Sequence, residues 1–451
     1  MPEPFLTAPI DSTSATALAG SNLKMSLVDT ADRAAFAAWV SADNRGFHGG
    51  ALSESVLAAR MDGMAYRRTT GVYRDGPDAG DALEPVGTAN SWIAELTIPG
   101  DRTVPAWAIS SVTVAPTHRR RGIARALLGA ELRTAAALGV PLAMLTVSES
   151  SIYGRFGFAP AALAADLLID TRRTKWAGTR ASGRAASGAA ASGTVRFIPI
   201  DEFRAAIPAF HDRVRLGNPG EIDVGSQRWD QLVGIDTDEV ERTKSLRAAR
   251  YDDGDGVPQG YALYRVTGGD EDFTAHTLHV EFLSTATPDA YAGLWRYLLE
   301  VDLVSEVRAG LRSVDEPLRW QLSNWRAMTV TPRDHHYLRI LDVQAALEAR
   351  SYSADETIAF DVTDDLGITA GRYLLETDSG QAHVTHLTDE VPDAAAHVAL
   401  TVNELSAIYL GGVLATTLVD AGRIIELRPG SAARIDGVFR SARTPWLSSW
   451  Y

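Results

Sequence analysis

The segment from Ala108 to Pro160, AISSVTVAPTHRRRGIARALLGAELRTAAALGVPLAMLTVSESSIYGRFGFAP, leaves this chain few ways to fold. Ile109 to Val114 is an apolar, β-branched run of strand type, and Pro116, which cannot donate to a ladder, stops it. Arg119-Arg120-Arg121-Gly122-Ile123-Ala124 then opens a helix with apolar residues at Ala126, Leu127, Leu128, Leu132 and Ala136. After Gly139 a second strand runs from Pro141 to Val147. A strand, an arginine-rich turn and a helix make an anion site. Amides at a helix N-terminus lack partners within the helix, and the helix dipole favours negative charge there. Gly122, without a Cβ, lets a phosphate come close, and the arginines add charge-assisted contacts. The spacing is neither that of a nucleoside triphosphatase loop nor that of a dinucleotide turn.

The rest of the composition limits the chemistry. There is no cysteine, which removes disulfides, thiolate metal sites and any cysteine-bound acyl intermediate. Group transfer by this chain is therefore expected to be direct. Lys plus Arg is 43 against 57 Asp plus Glu, a net charge of −14. That balance argues against a nucleic-acid partner and suits a cationic one. No run reaches the ~18 apolar residues of a membrane span, and the N-terminus lacks the basic leader and apolar stretch of a signal peptide. The chain is expected to be cytoplasmic. His335-His336 has no carboxylate or third histidine at ligand spacing, so no metal site is expected.

At 451 residues the chain is long enough for about three domains. Residues 1–22, rich in Ser, Thr, Ala and Pro, read as a loose extension. A first domain covers residues 23–170, with helices at Asp32–Val40 and Ser53–Met61 and strands at Thr70–Tyr73, Glu84–Leu96 and Ala106–Val114. Residues 171–194, almost wholly Ala, Gly, Ser, Thr and Arg, read as a linker. A second domain covers 195–335, with strands at Gly260–Val266 and Thr277–Ser284 and a helix at Asp289–Leu299. Arg333-Asp334-His335-His336 is a polar break before Tyr337. Residues 336–451 hold strands near Thr357–Val362, Gly371–Glu376 and Ala382–Leu387, and helices at Val402–Leu410 and Ser431–Phe439.

The segment first described resembles the GCN5-related N-acetyltransferases (GNAT). Their strand followed by Arg/Gln-x-x-Gly-x-Gly/Ala is matched by Arg119, Gly122 and Ala124. Val112-Thr113-Val114-Ala115-Pro116 and Tyr153-Gly154-Arg155-Phe156-Gly157-Phe158 are similar as well. The resemblance implies two strands that splay to admit the pantetheine arm of acetyl-CoA. The backbone of Val112, Thr113 and Val114 would pair with that arm like an added strand. Arg120, Arg121, Gly122, Ile123, Ala124 and Arg125 would hold the pyrophosphate, and Ser148 and Glu149 would line the thiol end. Tyr153 is placed to protonate a leaving thiolate, since a phenol with a pKa of ~10 can donate to it. The same ring can equally serve by packing beneath Phe156 and Phe158.

Beyond the first domain, the chain resembles the Eis (enhanced intracellular survival) acetyltransferases. The similarity rests on LSAIYLGGVLATTLVDAGRI at Leu405–Ile424, on the ending TPWLSSWY, and on Arg213, Pro219-Gly220, Arg228 and Trp229. It implies an α/β architecture: two GNAT-like domains in tandem, the second degenerate, then a sterol-carrier-protein-like domain, assembled as a homohexamer. The degeneracy also has a sign in the residues. Thr285-Ala286-Thr287-Pro288-Asp289-Ala290 stands where the first domain has three arginines, so no cofactor is expected in domain two. The family places a terminal carboxylate in the active site, here Tyr451, to attract the substrate ammonium and accept its proton. Trp39, Phe47 and His48 fall in the helical region that caps the cleft, and Trp39 and Phe47 are taken as substrate-side candidates. The implied activity is transfer of acetyl from acetyl-CoA to primary amines of a polycationic molecule such as an aminoglycoside, at one or several sites. Lysine side chains or polyamines are an alternative substrate. A lipid or sterol carrier with a vestigial enzyme is the alternative from another class.

Overall fold

The computed structural model describes residues 3–75, 84–178, 193–235 and 240–451. The chain divides into two compact units, Met1–Ala162 with Asp334–Pro445 and Trp450–Tyr451, and Leu163–Arg333 with Trp446–Ser449.

The first unit opens with helices α1 (Pro4–Thr7) and α2 (Ser12–Ala19). The expectation of a loose extension over residues 1–22 is corrected here. Its few apolar side chains find the core: Phe5 meets Trp107 edge-on at 6.0 Å, and Leu18 packs with Met25 and Leu127. Polar ties add to this. Asp11 accepts from the Ser14 amide and from Arg133, and the buried Arg68 donates to the carbonyls of Phe5 and Ala8.

Strand β1 (Leu23–Leu27), α3 (Arg33–Gly46) and α4 (Glu54–Met64) follow, with Asp32 and Ser53 capping the two helices. Next come β2 (Arg68–Arg74), β3 (Gly87–Ile98), β4 (Arg102–Val114), α5 (Ile123–Ala137) and β5 (Leu142–Thr146). β1 to β4 are antiparallel neighbours in order, and β5 lies parallel to β4. α5 buries Ile123, Leu127 and Leu132. The buried Glu131 on the same helix accepts from Ser91 (2.6 Å), Trp107 (3.0 Å) and Thr70 (3.2 Å), which makes its burial tolerable. α6 (Ser150–Tyr153) leads into β6 (Ala159–Asp170), within which the chain leaves this unit. Most of the linker expected over 171–194 lies outside the described residues.

The second unit contains β7 (Thr194–Ile198), α7 (Ile200–Arg215), α8 (Ser226–Leu232), α9 (Val240–Ser245), β8 (Leu246–Asp252), β9 (Pro258–Thr267), β10 (His276–Thr285), α10 (Pro288–Leu299) and β11 (Val304–Arg312). Its strands run in the order β6-β11-β10-β9-β8-β7. β10 and β11 are parallel and joined by a helix, repeating the β4-α5-β5 succession. The resemblance ends at the helix N-terminus. Thr287 caps α10 at the Ala290 amide, and Asp289 stands in its first turn.

β12 (Met328–Ile340) returns the chain to the first unit, where His336–Ile340 pair antiparallel with Thr146–Leu142 of β5. The polar break expected at Arg333–His336 is thus corrected to uninterrupted strand. His335 and His336 are fully buried, and the strand continues because partners are at hand: His336 Nε2 meets the Tyr451 hydroxyl, and His335 meets the Trp450 ring edge-on.

The chain then forms α11 (Val343–Ala349), β13 (Glu356–Thr363), β14 (Gly371–Asp378), β15 (Gln381–His386), β16 (Ala396–Thr401), α12 (Val402–Ile408), α13 (Ala415–Asp420), β17 (Ile425–Glu426) and α14 (Ser431–Phe439). Their strands make a five-stranded sheet ordered β15-β14-β13-β16-β17. Phe360, Leu375, Leu405 and Phe439 fill its core. Arg350 is fully buried and donates to the carbonyls of Tyr409 and Phe439, which satisfies the last turns of α12 and α14. Among the described residues, no helix is long and apolar enough to cross a membrane.

Candidate active site

β4 and β5 are paired only over Ala106–Ala108 and Leu142–Met144. Past Ala108, β4 stays with β3 as far as Val114, while β5 pairs with β12 on its other side. The cause is local. The register with β3 shifts between Thr88 and Asn90, and Ser111 there stands at φ +56°. A bulge of this kind bends its strand away. It is pinned by Thr88 donating to the Ser111 carbonyl and Asn90 to the Ser111 hydroxyl. The edge carrying Val112, Thr113 and Val114 is thereby open to pairing with an extended ligand.

Beyond Val114 the chain makes a short turn at Pro116–His118 and reaches Gly122, the N-cap of α5, at φ +80° with no side-chain cap. A Cβ on Gly122 would meet nothing within 4 Å. The first helical bond is from Ala126 to the Gly122 carbonyl, which leaves the amides of Ile123, Ala124 and Arg125 free for a ligand. Arg119, Arg120, Arg121 and Arg125 are exposed, and among the described residues none has a carboxylate partner. Arg120 holds φ +62°, a left-handed conformation that costs on the order of 1 kcal/mol. Free amides, unpaired cations and open space together suit a pyrophosphate.

Tyr153 ends α6 at 7% exposure, its ring edge-on to Phe158 at 6.2 Å. Its hydroxyl has no hydrogen-bond partner among the described residues. Burial, then the charge of Glu149, push its pKa above the ordinary phenol value. The phenol is therefore protonated at neutral pH and able to donate. Ser148 and Glu149 are exposed just beyond β5, with Glu149 accepting from Ser151 at 2.8 Å.

Tyr451 is held within the first unit. Thr146 Oγ1 donates to its main-chain oxygen at 3.1 Å, its hydroxyl meets His336 Nε2 at 3.0 Å, and its ring lies edge-on to Trp92 at 5.5 Å. Burial drives its phenol well above the ordinary value, so the side chain stays neutral.

The two substrate-side expectations divide. Trp39 is 0% exposed in the core beneath α3, with its indole N–H bonded to the Thr70 carbonyl at 2.8 Å, so it supports the fold rather than facing a ligand. Phe47 is 54% exposed at the C-terminal end of α3, followed by His48 at φ +62°. Gly46 lets this helix end approach β4, since a Cβ there would fall 2.5 Å from the Thr113 side chain. Sequence reasoning missed Asp43, three residues earlier. Its carboxyl hydrogen-bonds Ser111 at the bulge, and its Oδ1 is buried without a partner among the described residues. Burial raises its pKa to about 6, against the opposing pull of Ser111, Arg60 and Arg67. The available signal was one acidic residue in an Ala-rich helix. Thr146, Trp92 and His336 were missed as well, because only tertiary pairing brings them to Tyr451.

Comparison with known proteins matches two acetyltransferase (GNAT) domain models, at residues 29–161 and 220–340, and a sterol carrier protein domain model at 343–448. An N-acetyltransferase of Streptomyces griseus is 34% identical over 415 residues, spanning 91% of this chain and 96% of its own. The N-acetyltransferase Eis of Mycobacterium tuberculosis is 33% identical over 378 residues, spanning 82% and 86%. The crystal structure of Eis1 from Mycobacterium abscessus superposes with a TM-score of 0.75 at 26% identity, covering 95% of this chain and all of that one. The architecture is accordingly two GNAT domains followed by a sterol-carrier-protein-like domain.

Proposed function

The chain belongs to the Eis family of N-acetyltransferases, and on that premise we propose that it moves acetyl from acetyl-CoA to primary amines of a polycationic small molecule such as an aminoglycoside, at more than one position. The observation that carries the reading is the start of α5: free amides, four arginines without carboxylate partners among the described residues, and the splayed β4 edge beside them. The same site includes Tyr153 and Tyr451. The pyrophosphate lies on Arg120, Arg121, Gly122, Ile123, Ala124 and Arg125, and the pantetheine arm along Val112–Val114, with Ser148 and Glu149 toward the thiol.

The proton balance follows from the residues. The substrate ammonium gives its proton to the Tyr451 carboxyl, directly or through water, and the freed nitrogen attacks the thioester carbonyl. The C–S bond breaks, Tyr153 protonates the departing thiolate, and the second proton, lost from nitrogen as the amide forms, returns through water to the Tyr153 phenolate. A carboxylate titrating near ~3.5 in water is a weak base unless desolvated, so water between it and the ammonium can relay the proton. Without a cysteine, transfer goes through a ternary complex. The excess of carboxylates over the chain favours a cationic substrate. We also expect a homohexamer, to be checked by light scattering.

The deciding experiment is acetyl-CoA consumption with tobramycin or kanamycin, followed by mass spectrometry of the product. Mass increases of one or more acetyl groups support the reading. Turnover on a lysine peptide or spermidine but not on either aminoglycoside would move the substrate class to lysines or polyamines. No turnover, with uptake of a fluorescent sterol analogue, would overturn the enzymatic reading altogether.

A further inference from the structure

The second unit also forks a parallel strand pair, but the chemistry in the fork is different. β10 and β11 pair in parallel as far as Val280 and Ala309. There β10 shifts register against β9, between Val280 and Phe282, and Leu311 on β11 stands at φ +51°. A cavity of about 520 Å³ opens at this point, within the range of small-molecule sites. Leu167, Val224, Leu232 and Phe282 give it apolar walls.

Its polar groups are unevenly satisfied. The carboxylates along it are already paired: Glu281 holds Arg242 and Arg265, and Asp166 holds Arg333. The lining cation Arg308 is held by Glu306. Arg228 is the exception. It is half-buried on the cavity wall, and it has no carboxylate or carbonyl partner among the described residues. Burial and the neighbouring Arg242 both press its guanidinium below the ordinary value, so the charge is poorly compensated. Beside it Trp229, only 3% exposed, has an indole N–H with no acceptor among the described residues. His211, also buried on the wall, holds its Nε2 3.8 Å from Glu221, beyond hydrogen-bond reach. A buried donor left without an acceptor forfeits its hydration with no return, and each such group in a folded protein calls for a reason.

We propose that this fork is a second ligand site, for a small organic carboxylate whose apolar body fills the cavity and whose anionic head lies on Arg228 and the Trp229 indole N–H. It is not a second acetyl-CoA cradle. Thr287 already occupies the Ala290 amide at the start of α10, and Asp289 beside it repels a pyrophosphate. Arg228 and Trp229 are thus given a role that the acetyl-transfer site does not use.

The test is titration of the full chain by intrinsic tryptophan fluorescence and calorimetry, with CoA saturating so that the first domain's anion site is filled. Benzoate is the probe, benzamide its neutral isostere, and inorganic phosphate the bare anion. Benzoate binds saturably and at least 10-fold tighter than benzamide. Arg228→Gln weakens benzoate at least 10-fold while leaving benzamide unchanged, Arg228→Lys restores part of the loss, and Trp229→Phe weakens benzoate several-fold. Equal binding of benzoate and benzamide overturns the proposal, as does unchanged benzoate affinity in Arg228→Gln or absence of benzoate binding up to about 10 mM. Phosphate competing as strongly as benzoate overturns the organic-acid assignment. If the Arg228 variants do not fold, the wild-type comparison of benzoate with benzamide decides alone. None of these readouts needs acetyl transfer, so the two readings fail separately.

Discussion

Thr146 donates its hydroxyl to the main-chain oxygen of Tyr451 across 3.1 Å, between residues 305 positions apart in sequence. Thr146 is the last residue of β5 and pairs across the sheet with His336, which holds the Tyr451 hydroxyl. Tyr451 is therefore gripped at both ends by adjacent strands. Thr146→Val keeps the β-branched shape and removes only the donor. A net hydrogen bond of about 0.5–1.5 kcal/mol is lost, and kcat is expected to fall several-fold with the KM for acetyl-CoA unchanged. An unchanged kcat would mean that the position of this oxygen does not matter to turnover.

Tyr153→Phe retains the ring against Phe158 and removes the proposed proton donor. Turnover should drop about 10²-fold with no change in thermal midpoint. Glu149 contributes to the raised pKa of Tyr153, after burial. Glu149→Gln should therefore bring the alkaline fall of kcat to lower pH, because the phenol then loses its proton sooner. An alkaline limb that does not move in Glu149→Gln would assign it to another group.

Arg120 and Arg121 are exposed and, among the described residues, without carboxylate partners, so their removal should leave the fold alone. The Arg120→Ala, Arg121→Ala double variant should lose charge-assisted contacts of about 1.5–3 kcal/mol each toward the pyrophosphate. The readouts are a strongly raised KM for acetyl-CoA and a weaker dependence of that KM on salt. Wild-type cofactor affinity in the double variant would move the cradle elsewhere.

What could be read from the sequence was local. β4, α5 and β5 follow from β-branched runs, Pro116, Gly122 and a helical spacing of leucines, all within one short segment. Residues 4–19 were misread because composition counts apolar residues and cannot show that Phe5 and Leu18 each have a place in the core. His335 and His336 read as a break for the same reason; their burial depends on Trp450 and Tyr451, more than a hundred positions later. Trp39 looked like a cleft residue because an indole serves core and ligand alike. Asp43 gained its character from Ser111, at a bulge with no sequence signature of its own.

Asp43 makes a stability prediction with a definite sign. Its carboxyl is raised to about 6 in the fold from an ordinary 3.8, burial outweighing Ser111, Arg60 and Arg67. Between those values the folded state binds a proton that the unfolded chain has released. Its contribution to stability is therefore greatest near pH 4, falls as pH rises through 6, and is lowest above 7. At 1.36 kcal/mol per pH unit the gap is worth at most ~3 kcal/mol, with the opposing pull of Ser111, Arg60 and Arg67 already included. Asp43→Asn mimics the protonated form. Its thermal midpoint should exceed wild type at pH 8, with the difference shrinking at pH 5 and closing toward pH 4. A difference that is constant with pH would show that Asp43 titrates normally.

Asn403 tests whether the C-terminal domain takes part in catalysis by holding the Tyr153 loop. It lies in the first turn of α12, and its side-chain amide donates to the carbonyls of Gly154 (2.7 Å) and Phe158 (2.9 Å), on either side of the turn that follows Tyr153. The same turn is backed by Arg339, fully buried and paired with Asp364 at 2.8 Å, against which a Cβ on Gly157 would clash. The loop is thus fixed by groups 180 to 250 positions later in the chain. Asn403→Ala removes both donations and leaves two carbonyls to find water, at a cost of about 1–3 kcal/mol in loop order. With Tyr153 as the proposed proton donor and α5 as the proposed cofactor cradle, kcat should fall about 5- to 30-fold while the KM for acetyl-CoA changes little. A looser loop also admits water to the phenol, which relieves the burial that raises its pKa, so the alkaline limb of kcat should move to lower pH. A lowered thermal midpoint with kcat and its pH profile unchanged would make Asn403 a purely structural tie and confine catalysis to the first domain and Tyr451.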